Sequence, residues 1–147
     1  MENETIFRVA NKSDADEFKR LNDMFNGKNT NSLDNIKKSL CSIDSESVFV
    51  AERNGKLIGF CCCQELKSVC YDTCRFEIAE LFVQEEYQKI GIGKGLIYFV
   101  ENWYKQRSIF KIKLLTGNKN LNAQGFYEHL GYTKTDQILY KRWIGEI

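Results

Sequence analysis

The sequence predicts an α/β domain with an antiparallel front half and strand-helix-strand crossovers behind it, on three observations. Asn54-Gly55 separates two apolar, β-branched runs, and Asn-Gly is the strongest short hairpin signal. Leu96, Val100 and Trp103, with Ile97 and Tyr104 beside them, recur at the spacing of an amphipathic helix over 93–107. A chain of 147 residues, 43% apolar and 13% aromatic, without proline, can bury one core. No repeat, linker or low-complexity tract interrupts it, so one domain over 1–147 is expected.

The elements follow in order. Residues 5–10 have strand character. Ser13 precedes Phe18, Leu21 and Phe25 at helical spacing, and Asp14, Asp16 and Glu17 suit the positive end of that helix. Ser32 caps a second helix over 33–40. Residues 47–52 and 57–65 pair through the Asn54-Gly55 turn. The strand over 75–83 breaks its own alternation, because Phe76 and Ile78 have one parity and Leu81 and Val83 the other. A β-bulge near Ala79 returns both pairs to one face and sets Glu77 and Glu80 together on the opposite face. Beyond the helix at 93–107, Phe110, Ile112 and Leu114 alternate with Lys111 and Lys113 as a strand. Ala123, Phe126, Tyr127 and Leu130 then repeat at helical spacing, and Gly131 stands where a left-handed cap belongs. Strands over 132–135 and 138–143 complete the order β α α β β β α β α β β.

Composition excludes several classes. A net charge of +1 removes the generic electrostatic attraction to nucleic acid or a membrane surface. The single histidine, His129, excludes two-histidine zinc hydrolases and leaves proton transfer mostly to Glu, Asp, Tyr, Lys, Cys or water. The amino-terminal residues lack an apolar signal core, and no run approaches the roughly 18 apolar residues of a spanning helix. The run Cys61-Cys62-Cys63 lies in an apolar segment and reads as small buried residues of a reducing compartment. A cytoplasmic location and no metal are expected; Cys70 and Cys74, with no histidine nearby, are a weak zinc pattern.

Gln88-Lys89-Ile90-Gly91-Ile92-Gly93-Lys94-Gly95 lies between a strand and the helix at 93–107. Glycines there let backbone N–H groups approach a ligand, and a helix start offers free amides to a phosphate. A Walker A loop fails at Gln88 and Gly95, and a dinucleotide fingerprint fails at Leu96. The pattern Gln-x-x-Gly-x-Gly instead resembles the signature of the GNAT superfamily of acetyl-CoA dependent N-acetyltransferases. The run from Asn120 to Tyr132, containing Asn120, Ala123, Phe126, Tyr127 and Gly131, resembles that family's second signature, in family order.

The resemblance implies a GNAT-like fold, a central mixed and mostly antiparallel sheet flanked by about four helices. It implies that acetyl-CoA is the cosubstrate. Its pyrophosphate would lie on the amides of Gln88, Lys89, Ile90, Gly91, Ile92, Gly93 and Lys94, and its pantetheine arm would run beside the backbone of Leu81, Phe82 and Val83. Asn120 matches the residue that commonly contacts the pantetheine; Asn122 lies outside the pattern and reads at least equally as a solvent-facing or helix-capping residue. Tyr127 matches the tyrosine that protonates the departing thiolate. Glu80 and Glu77 are the candidate bases, Glu80 slightly ahead, directly or through water. The reaction would be direct attack by a neutral primary amine, with an oxyanion held by a backbone N–H near Phe82.

The acceptor regions implied are 23–40 and 67–74. There Asp23, Asp34 and Asp72 are offset by Lys28, Lys37, Lys38 and Lys67, so no strongly acidic cleft is expected. A small-molecule amine is the favoured acceptor. An aminoglycoside-like molecule and a polyamine are open within that class; a protein N-terminus or lysine, or a coenzyme A-binding sensor without turnover, are the alternatives, and a homodimer through exposed strand edges stays open.

Overall fold

The computed structural model describes residues 4–42 and 46–146, which fall into two compact units, Met1–Leu115 and Thr116–Ile147. The first unit runs β1 (Thr5–Val9), α1 (Ala15–Asn26), α2 (Leu33–Cys41), β2 (Glu46–Arg53), β3 (Lys56–Leu66), β4 (Arg75–Val83), α3 (Ile92–Lys105) and β5 (Ile112–Leu114). The five strands lie side by side in chain order, antiparallel except for the parallel β4–β5 pair. This is the mixed, mostly antiparallel sheet expected.

Local chemistry sets the boundaries. Asn54 and Gly55 both have positive φ, 54° and 74°, as a two-residue type I′ hairpin requires. Ser32 caps α2 by accepting from the Asn35 N–H at 3.1 Å. The start of α1 differs from expectation: Asn11, not Ser13, is the cap of a 3-10 turn at Lys12–Asp14 that leads into the helix. Asn11 Oδ1 accepts from the Ser13 N–H, while Asp14 Oδ2 accepts from the Asn11 N–H at 2.8 Å. That reciprocal box satisfies two amides at once, more than Ser13 alone could do. Arg8 grips the same carboxylate with two bonds of 2.8 Å, tying β1 to the entry of α1.

The pairing of β3 with β4 runs from Cys62 opposite Glu80 directly to Cys63 opposite Ile78. Ala79 is the extra residue, so the bulge lies where the parity break predicts it. One face of the sheet packs on α3: Phe76 stacks on Tyr104 with ring centres 3.8 Å apart, and Val83 and Leu96 crowd the space above Gly59. The other face packs on α1 and α2, where Phe18, Leu21 and Ile36 meet Val48, Val50, Phe60 and Cys62.

In the second unit α4 spans Leu121–His129, and Gly131 has φ +98° as its left-handed cap position requires. Two expectations fail. Residues 132–143 form no strand, and Ile138, Tyr140 and Trp143 are exposed; strand propensity is realised only against a partner edge, and an isolated two-stranded ribbon is marginal in water. The strand expected to include Phe110 begins at Ile112 instead, leaving Phe110 exposed.

Candidate active site

Beyond the bulge, β4 has an open edge. β5 pairs with it only at Phe76, Glu77 and Ile78, so Glu80 to Val83 have no strand on that side among the described residues. The Gln84 N–H donates to the Ile58 carbonyl at 2.8 Å. By alternation, the backbone groups of Phe82 and Glu80 also turn towards β3, and those of Leu81 and Val83 turn outwards. The donor expected near Phe82 is therefore the N–H of Leu81. Phe82 contributes its ring, which stacks on Phe25 at 5.2 Å and tilts against Phe60 at 5.8 Å.

The glycine-rich turn follows this edge. Gln88 Nε2 donates to the Val83 carbonyl at 2.8 Å and pins the turn to the end of β4. Lys89 at φ 65° and Gly91 at φ 92° are both left-handed, a conformation costing about 1–2 kcal/mol for a residue with a Cβ. The first bond within α3 is from the Gly95 N–H to the Gly91 carbonyl, 2.9 Å. The amides of Ile92, Gly93 and Lys94 precede it and point out of the helix start, where the dipole favours an anion. Ile92 buries its side chain, leaving its backbone for binding. Gly95 serves packing: a Cβ there would overlap the Phe7 ring of β1. These donors fit a pyrophosphate, and the open edge beside them fits an extended arm.

On the α1/α2 face lies a cavity of about 330 Å³. Phe18, Asn22 and Asn26 of α1, Ile36 of α2, and Val48, Phe60 and Cys62 of β2 and β3 contribute to its walls, and Glu46 and Glu80 face it. Burial holds the Glu80 carboxyl above its ordinary range, and the charges of Glu46 and Glu77 add to the shift while a hydrogen bond with Cys62 opposes it. Burial likewise raises Glu46, against the pull of Gln64, whose Nε2 donates to Glu46 Oε2 at 2.8 Å. The Cys62 thiol is pushed well up by burial and by both carboxylates. No Lys, Arg or His lines the cavity among the described residues.

The absence of an acidic cleft is thus overturned. Asp23, Asp34 and Asp72 do not line the cavity, and Asp23 is tied to Lys19 at 2.8 Å. The acid comes from two strands. Glu46 was outside the expected strand at 47–52, and its signal was the ladder partner Gln64, visible only once register is known. Residues 67–74 contribute nothing to the lining, whereas six residues of 23–40, Asn26, Thr30, Asn31, Ile36, Ser39 and Leu40, do. Glu77 is half-buried opposite Gln64 and Lys113 and is not part of the lining.

Asn120 and Tyr127 belong to the second unit. Asn120 caps α4, its Oδ1 accepting from the Ala123 N–H at 3.1 Å. The Tyr127 ring is half-buried and meets Phe126 and Tyr132 edge to face, at 5.1 and 5.6 Å. The capping role weighed for Asn122 is filled by Asn120.

The family model described as "Acetyltransferase (GNAT) family" matches residues 15–132. Human N-acetyltransferase 8 is 27% identical over 111 residues, covering 76% of this chain and 49% of the relative. An uncharacterised N-acetyltransferase of Archaeoglobus fulgidus is 30% identical over 128 residues, covering 82% of this chain and 87% of the relative. The chain spans about half the length of the human protein. Among solved structures, an aminoglycoside acetyltransferase from an uncultured soil sample, in complex with sisomicin, superposes with a TM-score of 0.84 at 20% identity over 97% of both chains. An aminoglycoside N-acetyltransferase in complex with CoA superposes at 0.82 with 19% identity over 97% of both.

Proposed function

The chain belongs to the acetyltransferase (GNAT) family, and from that premise we propose that it transfers the acetyl group of acetyl-CoA directly to a primary amine of a small molecule held in the α1/α2-side cavity. The observation that carries this reading is the bulge at Ala79, which turns Glu80 into the cavity while the Leu81 N–H turns to the open edge of β4. A base and an oxyanion donor thus come from adjacent residues on two sides of one strand.

Acetyl-CoA, when bound, supplies an activated thioester carbonyl. The amides of Ile92, Gly93 and Lys94 would hold its pyrophosphate and the outward groups of Leu81 and Val83 would align the pantetheine arm; Asn120 is the residue to which the family resemblance assigns contact with that arm. The acceptor must be neutral to attack, so Glu80 takes one proton from its nitrogen, directly or through water; a carboxyl held above its usual range is the better proton acceptor. The new N–C bond forms as the C–S bond breaks, and the departing thiolate takes up a proton, a donor role that the family resemblance assigns to Tyr127. The products are an N-acetyl amine and a free thiol. The small-molecule acceptors named with the sisomicin complex support an amine of this kind. The six unpaired cysteines support a cytoplasmic setting, and no helix among the described residues is long and apolar enough to cross a membrane.

Glu80→Gln tests the assignment. Turnover is expected to fall by about 10²–10⁴-fold, the usual contribution of a positioned acid or base, with coenzyme A affinity unchanged. Turnover equal to that of the parent would remove Glu80 as the base.

A further inference from the structure

The cavity holds a second carboxylate that the transfer itself does not use. The geometry points to Glu46 as the residue that selects the acceptor, by binding the distal ammonium of a diamine-type molecule whose other amine lies at Glu80. This inference rests on the reading of the cavity as the acceptor site.

Three observations support it. Gln64 occupies only Oε2 of Glu46, so Oε1 has no hydrogen-bond partner among the described residues and faces a cavity without a basic side chain. A half-buried carboxylate without a counter-charge carries a desolvation cost that a bound cation offsets. Second, Asn22, Asn26, Thr30, Asn31 and Ser39 line the same space, and their side-chain oxygens are acceptors for an ammonium held beside the carboxylate.

The third observation is the register. Val48 pairs with Cys62 and Cys62 with Glu80, while Glu46 lies two residues along β2 from Val48 on the same face. Strand spacing and rise then put the Glu46 and Glu80 Cα atoms about 12 Å apart. With both side chains projecting from the same face, a molecule with two amines on a chain of about four or five carbons, each nitrogen about 3 Å from its carboxylate, is of the matching length. Phe18 and Phe60, whose ring centres are 4.7 Å apart, offer an apolar wall to the methylenes.

The test compares α,ω-diaminoalkanes with n-alkylamines of equal carbon number, using acetyl-CoA and following free thiol. The diamines are expected to be preferred by about ten- to a hundredfold in kcat/KM. Glu46→Gln is expected to erase that preference through KM, and Glu46→Asp, which keeps the charge, to retain part of it. Coenzyme A affinity, read in parallel by calorimetry, separates lost selectivity from lost fold. Thiol release without a diamine preference in the parent, or a preference that survives Glu46→Gln, overturns the assignment of Glu46 alone. No release with any amine overturns the transfer reading and this assignment with it.

Discussion

The two faces of the central sheet share one run of three cysteines and have opposite characters. Cys61 and Cys63 point under α3, completely buried, with their sulfurs 3.8 Å apart among Phe49, Phe76 and Tyr104. Cys62 points the other way, into a cavity with two carboxylates. The difference is maintained on β4 by one residue. Before Ala79, even-numbered side chains face α3; after it, they face α1 and α2. Without the bulge, Glu80 and Phe82 would enter the dry side, and Leu81 and Val83 would line the cavity. A single inserted residue therefore separates a core face from one that lines the cavity.

Deleting Ala79 is the most severe way to break that division. It would force either Glu80 beneath α3 or Phe76 and Ile78 out of the core, and a loss of about 5 kcal/mol or more is expected, comparable with the whole stability of a small domain. Urea unfolding followed by fluorescence should show no native baseline; a normal midpoint would mean that the bulge does not set the face of Glu80.

Adding equal bulk to each face sharpens the contrast. Cys63→Leu overfills the α3 side and should cost about 1–3 kcal/mol of stability, read as a lower denaturation midpoint. Cys62→Leu intrudes on the cavity and should instead raise the acceptor KM by about tenfold, with a smaller change in stability. Similar stability losses with unchanged KM would place both thiols in one kind of environment.

The smallest effect expected is on the pH dependence. The Glu80 carboxyl is raised by burial first and by neighbouring carboxylates second. A raised acid favours the folded state while protonated, and that contribution is present below its unfolded pKa and lost as pH rises through the folded one. Glu80→Gln should therefore lose less stability than the parent between the ordinary carboxylate range and neutrality. Turnover in the parent should rise with pH through a midpoint above that range. Asp14, lowered mainly by its bonds with Arg8, runs in the opposite sense: its contribution is lost as pH falls.

Features written in neighbouring residues were legible in the sequence. The Asn54-Gly55 turn, the Ser32 cap, the α3 stripe and the parity break at Ala79 each depend on local geometry, and each stands where expected. The cavity's charge was not legible, because Glu46 and Glu80 meet only through the ladder from β2 across β3 to β4, and register is a property of the folded sheet. Counting Asp23, Asp34 and Asp72 against the nearby lysines missed it, since none of those three lines the cavity and Asp23 pairs with Lys19 on α1. Which N–H near Phe82 faces the open edge likewise depends on which side of β4 hydrogen bonds to β3. The strands expected over 132–143 had suitable residues, yet none forms there among the described residues, because strand propensity depends on pairing and packing that the local sequence does not specify.

The central claim is that the cavity face of β4 carries acetyl transfer to an amine. Its most direct test incubates the protein with acetyl-CoA and a panel of small amines while following free thiol and N-acetyl product together. The expected result is thiol release that requires an amine and matches product one for one. Tight coenzyme A binding with no amine-dependent release across the panel would contradict the claim and leave a binding module in its place.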